Sequence, residues 1–301
     1  MHKGGFEMGF TSNSDEITRQ YFDSMLLESR LLDSDLPSTE TTIWGQTFSS
    51  PITTAALSHL HRVCENGMVE FAQGAKNADV LHMAGMGSDE ELEAILQTGA
   101  KTVKVIKPLE DEDEIFRKIE HAVSHGAFAV GMDIDHCVNG TGGYDVVHGL
   151  KMHTKTTAQL ASYVDAAKVP FVVKGVLSPY DAEKCVEAGA KGIIVSHHHG
   201  IMPAAVPPVM ILPEIVKAVD GALTIFVDCG ITSGLDAFKA LACGADAVCV
   251  GRELMTALKD GNAGVTKRIH AMNEELRSIM ARTGAHSVEE IDPSVVHFRT
   301  F

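Results

Sequence analysis

The residues best equipped for chemistry fall in a few short runs. Ser196-His197-His198-His199-Gly200 sets three imidazoles side by side, and imidazole is the side chain that most often combines proton transfer with metal ligation near neutral pH. On an extended chain neighbouring side chains alternate between faces, so either His198 alone or His197 together with His199 addresses one side. Asp133, Asp135 and His136 form a second polar run directly after an apolar one. A carboxylate set against an imidazole orients it and stabilises its protonated form, so a histidine of this run with Asp133 reads as a general base and its partner. Lys104 and Lys174 sit in the apolar runs TVKV and PFVVK, and a lysine buried there needs an anionic or electron-rich partner to stay charged. Residues 228–252 read DCGITSGLDAFKALACGADAVCVGR. There Gly230 and Gly251 let anion oxygens approach backbone N–H groups and Arg252 adds a fork of donors, the makings of a phosphate site. A zinc site is the alternative use of the histidines, with His82, Asp133 and His136 joining the SHHHG run in a metal-dependent lyase or hydrolase.

The elements that must position these residues repeat. Short apolar, β-rich runs cover residues 52–56, 79–83, 102–106, 128–132, 170–174, 192–196, 224–228 and 247–251, with helical periodicity over 90–97, 113–124, 179–188 and 235–242 between them. QTGAKTVKVI, SHGAFAVGM, EAGAKGIIVS and ACGADAVCV share one unit: helix, Gly-Ala, strand. The glycine stands where a left-handed helix cap requires it. Parallel strands need crossover helices, and eight such units close on themselves, which predicts a (β/α)8 TIM barrel in preference to an open doubly wound sheet. A helix over 15–32 precedes it and one over 262–282 follows. In a barrel, function gathers where the strands end. Those ends collect Ala55, Ala56, His82, Lys104, Asp133, Asp135, His136, Lys174, Ser196 to His199, Asp228, Gly230, Gly251 and Arg252 on one rim. The Gly- and His-rich stretch 136–154 follows strand four, in the place of a lid or substrate loop.

Composition narrows the partners. With 45% hydrophobic and 22% charged residues the chain can bury a sizeable core, and no linker divides it, so residues 1–301 are expected to form a single domain. A net charge of −15 repels phosphate backbones and anionic lipid, excluding nucleic-acid and membrane binding. Six cysteines without a C-x-x-C pair read as reduced thiols, and no apolar run approaches about 18 residues. A cytoplasmic enzyme acting on a small molecule is expected.

The runs VKGVLSPYDAEKCVEAGAKGIIVSHHHG, LPEIVKAV and FVDCGITSGLDAFKALACGADAVCVGR together resemble the FMN-dependent α-hydroxy acid oxidase and dehydrogenase family, the group of glycolate and lactate oxidases. The likeness spans nearly the whole chain and is strongest over 170–252. It implies FMN as cofactor, no metal, and a homo-oligomer, with a tetramer as the common form. It places Lys174 near flavin N1 and C2=O, His198 at the catalytic base and Asp133 at the partner of that base. Ala55 and Ala56 fall on the backbone facing flavin N5, and Lys104 on a flavin-contacting glutamine. Ser196, Asp228, Gly230, Gly251 and Arg252 fall on further cofactor positions. The family's substrate-carboxylate clamp of two arginines and a tyrosine falls on His136, Ile201 and Ile106, so none of it survives. The resemblance therefore implies an oxidoreductase for a 2-hydroxy acid or a related, larger and less anionic hydroxy compound. A non-redox FMN-dependent isomerase and an idle flavin-binding protein are the flavin-based alternatives.

Overall fold

The computed structural model describes residues 13–299. The helix, Gly-Ala, strand repeat folds as its chemistry dictates. Gly99, Gly126, Gly189 and Gly244 take φ of 78, 87, 81 and 101° at helix ends, and the alanine after each is buried as the chain turns into the next strand. The strands so produced are β1 (Ile52–Thr54), β2 (His82–Ala84), β3 (Thr102–Ile106), β4 (Ala129–Asp133), β5 (Phe171–Val176), β6 (Gly192–Val195), β7 (Thr224–Val227) and β8 (Ala247–Val250). They run parallel in the order β1-β8-β7-β6-β5-β4-β3-β2. The ring closes where the Thr54 N–H donates to the Leu81 carbonyl at 3.2 Å and Leu57 bridges Ala84.

Helices α2 (Gly67–Asn77), α3 (Asp89–Gln97), α4 (Glu112–Ser124), α5 (Thr157–Ala167), α6 (Pro179–Glu187), α7 (Pro208–Val219) and α8 (Gly234–Ala242) return the chain between strands. A short α9 (Arg252–Ala257) and the long α10 (Gly261–Thr283) follow the last strand. Ser88, Asp111, Thr156, Ser178 and Ser233 each cap the N-terminus of α3, α4, α5, α6 or α8 with a side-chain oxygen.

Two apolar layers follow from strand alternation. Val103, Val105, Ala129, Val172, Ile194, Phe226 and Cys249 fill the barrel interior. Ile106, Val130, Met132, Val173, Ile193 and Val227 pack outward against the helices. A hairpin of Thr41–Ile43 and Gln46–Phe48 closes the end where the strands begin, with Trp44 against Phe128 and Phe226.

Two expectations are refined. The first helix, α1 (Ser14–Ser24), stops before residue 32, because Met25–Leu27 leaves helical geometry to pair antiparallel with Val296–Phe298. Leu31 and Leu32, at the end of the expected helix, are exposed. The stretch 136–154 is also less irregular than its composition implies. It folds back through the pairing of Val146–Val147 with Leu150–Lys151, and its Met152 is buried. Among the described residues no helix is long and apolar enough to cross a membrane.

His82 is fully buried on β2, facing α2 with its ring edge-on to Phe71. The Met83 N–H donates to Thr54 Oγ1, so the Thr54 hydroxyl proton is free to donate to His82 Nδ1 at 2.9 Å. Burial pushes the His82 pKa down to about 3, so folding keeps it neutral while the unfolded chain takes up a proton near pH 6.5. Its contribution to stability is whole above that pH and is lost as pH falls, by about 2 kcal/mol at pH 5. His82→Gln is expected to flatten the acid limb of a pH series of urea melts. An equally steep limb in the variant would refute this origin.

Candidate active site

Alternation and register build the centre of the rim. β4 and β5 are aligned so that Asp133 and Lys174 are direct neighbours, on the same inward parity as Ala129 and Val172. The Lys174 ammonium donates to Asp133 Oδ1 at 3.4 Å, and Lys107, just beyond β3, donates to Oδ2 at 2.5 Å. Both oxygens of this buried carboxylate thus face ammonium groups. His198 arrives from the turn after β6, at φ 47°, with its N–H donated to Ser196 Oγ at 3.0 Å. Its Nδ1 lies 2.8 Å from Asp135 Oδ1, 3.1 Å from Lys174 Nζ and 3.3 Å from Asp133 Oδ1. Asp135 is therefore the nearer carboxylate. Its seat exists because position 175 is glycine: at φ 91°, a Cβ there would lie 2.5 Å from Asp135 Cγ.

The electrostatics follow from this packing. Burial opposes ionisation of Asp133, but Lys174, His198 and Lys107 hold its carboxyl well below the usual range. Burial and repulsion from Asp133 raise Asp135. Burial and Lys174 act to lower His198, yet Asp133 and Asp135 outweigh them and its pKa lies above the ordinary value. Two carboxylates facing Nδ1 assign the ring proton to that atom and leave the lone pair on Nε2. His136 stands edge-on to His198 with ring centroids 4.4 Å apart, its Nδ1 3.2 Å from Asp145 Oδ2; burial, Lys107 and His198 push its pKa down to about 4.

Beside this network opens a cleft, walled by Ala55, Ala56 and Leu57 on one side and by the segments after β6, β7 and β8 on the others. Lys174, His198, Asp228, Gly230, Gly251 and Arg252 all line it. At its edge α1 contributes Asp15, whose Oδ2 meets Arg252 Nη1 at 3.1 Å and His199 Nδ1 at 3.0 Å. Ser196 is buried under the His198 turn.

Some predicted residues lie elsewhere. Lys104 has the outward parity of β3: it is buried towards α3 and α4, donates to the Gly85 carbonyl at 2.5 Å, and is pushed down by burial to about 8. Ile106 shares that outward face and packs in the helix-facing core. Ile201 is half-buried in the turn that follows the histidines, its N–H on the His197 carbonyl, and does not line the cleft. His197 is turned to α1, with Nε2 2.8 Å from Thr18 Oγ1. The simple alternation expected for SHHHG does not apply, because the strand ends at Val195 and His198 and His199 are both left-handed.

Sequence reading overlooked Lys107 and gave Asp135 no role. The signal for Lys107 was parity, since Val103 and Val105 face inward and position 107 continues the series. Asp133, His136 and His198 do lie close enough to share a cation. Against a metal, Lys107 and Lys174 already neutralise Asp133, and His82 is absent from the group.

An eight-stranded parallel barrel with a buried lysine, a carboxylate-held histidine and a glycine-walled cleft at the strand ends defines the class of TIM-barrel enzymes that bind an anionic cofactor on their rim. The FMN-dependent dehydrogenase family model matches residues 6–166 and 153–298, and the chain belongs to that family. Glycolate oxidase 3 of Arabidopsis thaliana is 29% identical over 94% of this chain and 86% of its own length. L-lactate oxidase of Roseobacter sp. (strain GAI101) is 41% identical over 153 residues, which are 50% of this chain and 41% of that protein. A solved mandelate oxidase variant with a monooxide FMN adduct is 30% identical with a TM-score of 0.88, covering 97% of this chain and 93% of that one.

The protein is an FMN-dependent oxidoreductase, and its residues fit the cofactor. The Ala55-Ala56 wall carries nothing beyond Cβ, and a Cβ on Gly251 would stand 3.5 Å from that of Ala55, filling space between the walls. Lys174 offers a charge within the cleft and Arg252 one at its edge. Because Gly175 seats Asp135, Gly175→Ala is expected to cost about 2 kcal/mol or more from the left-handed backbone and the clash together. Adding Asp135→Gly removes every atom of the clash, the Cβ at 2.7 Å included, so urea melts of the double variant are expected to recover part of that loss. Strictly additive costs would show that the two residues do not interact.

Proposed function

We propose that this enzyme oxidises a 2-hydroxy acid, or a related hydroxy compound of lower charge, to the corresponding carbonyl compound, with His198 as the base. The observation that carries the reading is the setting of His198: Nδ1 held 2.8 Å from one carboxylate and 3.3 Å from another, on the wall of the cleft. FMN, when bound, supplies the oxidised ring that accepts the two electrons of the substrate. His198 Nε2 takes the substrate proton, and the developing imidazolium is stabilised by Asp135 and Asp133. Lys174 holds a fixed positive charge beside the base, and Lys107 keeps Asp133 ionised. Ala55, Ala56, Ser196, Asp228, Gly230, Gly251 and Arg252 serve the cofactor.

His136 is the residue we assign to substrate contact, because its ring packs on that of His198. The cations nearest the base are both engaged by Asp133, so little net positive charge is left for a substrate carboxylate. A 2-hydroxy acid and its methyl ester are therefore expected to reduce the enzyme at rates within about tenfold, since no charge-assisted clamp worth 1.5–3 kcal/mol separates them. Anaerobic bleaching of the flavin band by matched acid and ester pairs measures this, and an acid preference above about a hundredfold would overturn it.

The base assignment has its own test. His198→Ala is expected to stay yellow but to bleach about 10²- to 10⁴-fold more slowly. A base must be unprotonated, and the His198 pKa is raised, so bleaching should rise with pH through a midpoint above about 6.5. Asp135→Asn removes a carboxylate that favours the imidazolium and is expected to move that midpoint down. Unchanged bleaching in His198→Ala, or a midpoint that stays put in Asp135→Asn, would remove the corresponding residue from the reaction.

A further inference from the structure

Away from the cleft, α3 and α4 bring together three side chains that the flavin chemistry leaves unused. Glu93 lies on α3, His121 on the last turns of α4, and His125 caps that helix. His121 Nε2 is 3.5 Å and His125 Nε2 is 3.7 Å from the same oxygen, Glu93 Oε1, and the three ligand atoms all lie within 4.8 Å of one another. Because crossover helices run antiparallel to the strands, the ends of α3 and α4 lie where the strands begin, at the opposite end of the barrel from His198.

The protonation pattern makes this a set of electron-pair donors. His125 Nδ1 is 2.8 Å from the His121 carbonyl, which only accepts, so Nδ1 carries the ring proton and Nε2 presents a lone pair towards Glu93. A ligating histidine held through its other ring nitrogen in this way is the usual support of a metal site. His121 Nε2 is enclosed and has no hydrogen-bond partner, although it faces the Glu93 carboxylate. Nor is Glu93 matched by a fixed cation. The neighbouring Arg117 and Lys118 are engaged by Asp89 and Glu114, and no lysine or arginine among the described residues lies within ion-pair distance of Glu93. The last carbonyls of α4 add the negative end of its dipole.

We propose that Glu93, His121 and His125 form a site for a divalent ion of the zinc class, tying α3 to α4. Two imidazoles and one carboxylate suit such an ion, and water completes a tetrahedral shell. Ligand atoms around zinc sit about 3.3 Å apart when the bonds are about 2.0–2.1 Å, so the two histidine-to-glutamate spacings need to contract by only a few tenths of an ångström. The pairing of histidines four residues apart reflects the helical repeat, which stacks their rings with centroids 4.2 Å apart.

The test uses the FMN-loaded enzyme, stripped with a chelator, desalted, and titrated with zinc chloride against a chromophoric chelator. At least one equivalent is expected to bind at micromolar zinc or below. That equivalent should be weakened by at least about tenfold in Glu93→Gln and in His121→Ala, and kept in His136→Ala, which alters the histidine cluster of the cleft. As a second readout, zinc should raise the Tm of the parent but not of His125→Gln, whose exposed position makes misfolding an unsuitable explanation. The proposal fails if zinc binds only at millimolar concentration, if the equivalent survives Glu93→Gln and His121→Ala, or if zinc leaves the Tm of the parent unchanged.

Discussion

Everything at the rim depends on one buried carboxylate. Asp133 carries a single negative charge, yet two ammonium groups and an imidazole converge on it from β3, β5 and β6. A buried ion of either sign is costly alone, and removing one partner of such a pair typically costs about 3–5 kcal/mol. The arrangement persists because the barrel over-determines it. Inward parity sets Asp133 and Lys174 on the interior face, and the β4–β5 register makes them neighbours before any side chain chooses a rotamer. Lys107 and His198 come from turns immediately beyond strand ends, where small backbone adjustments bring them onto the same group.

That geometry also explains why His198 is not simply a histidine beside an aspartate. With both Asp133 oxygens facing lysines, its capacity to accept from an imidazole is partly spent, and Asp135 takes the shorter bond to His198. Asp135 can approach only across the bare backbone of Gly175. Thus the glycine after the lysine, the second aspartate after the first, and the left-handed turn of His198 are parts of one fitting. Charges of both signs alternate through it, so a proton gained by His198 is met by two carboxylates while Lys174 limits how far its pKa can rise.

How much of this the sequence shows depends on the range of the interaction. The strands and most crossover helices are visible because their signals are local: a glycine that must be left-handed, an alanine that must be small, an apolar run. The pairing of Asp133 with a histidine of the SHHHG run follows from the rim idea, and the choice of His198 rests on the resemblance. What escaped needs more than local signals. Lys104 looked like a rim residue because of its place in an apolar run, and Ile106 fell by resemblance on the clamp tyrosine, but the parity of β3 turns both outward, and that parity is fixed by which face Val103 and Val105 share with the other strands. The end of α1 depends on a strand formed some 270 residues later. His121 and His125 are a recognisable helical pair, but Glu93 joins them only through the packing of α3 on α4.

The division between the buried centre of the rim and the segments beyond the strands has a physical logic. Asp133, Lys174 and His198 stand on or immediately beside strands whose alignment is shared by the whole ring, so displacing one disturbs several buried partners. Groups that would grip the far end of a substrate stand on the segments beyond the strands, where substitution disturbs few neighbours. On the proposed function, the barrel keeps its proton-transfer centre and flavin cleft without the arginine clamp that the resemblance implies. At His136, where the resemblance places a clamp arginine, the imidazole is neutral at ordinary pH, held so by burial and by the cations beside it. Such a ring offers an uncharged hydrogen bond or a stacking face in place of an ion pair. On the function proposed above, selection by substrate charge would be relaxed, while Asp133 and Lys174 stay where the strand register puts them.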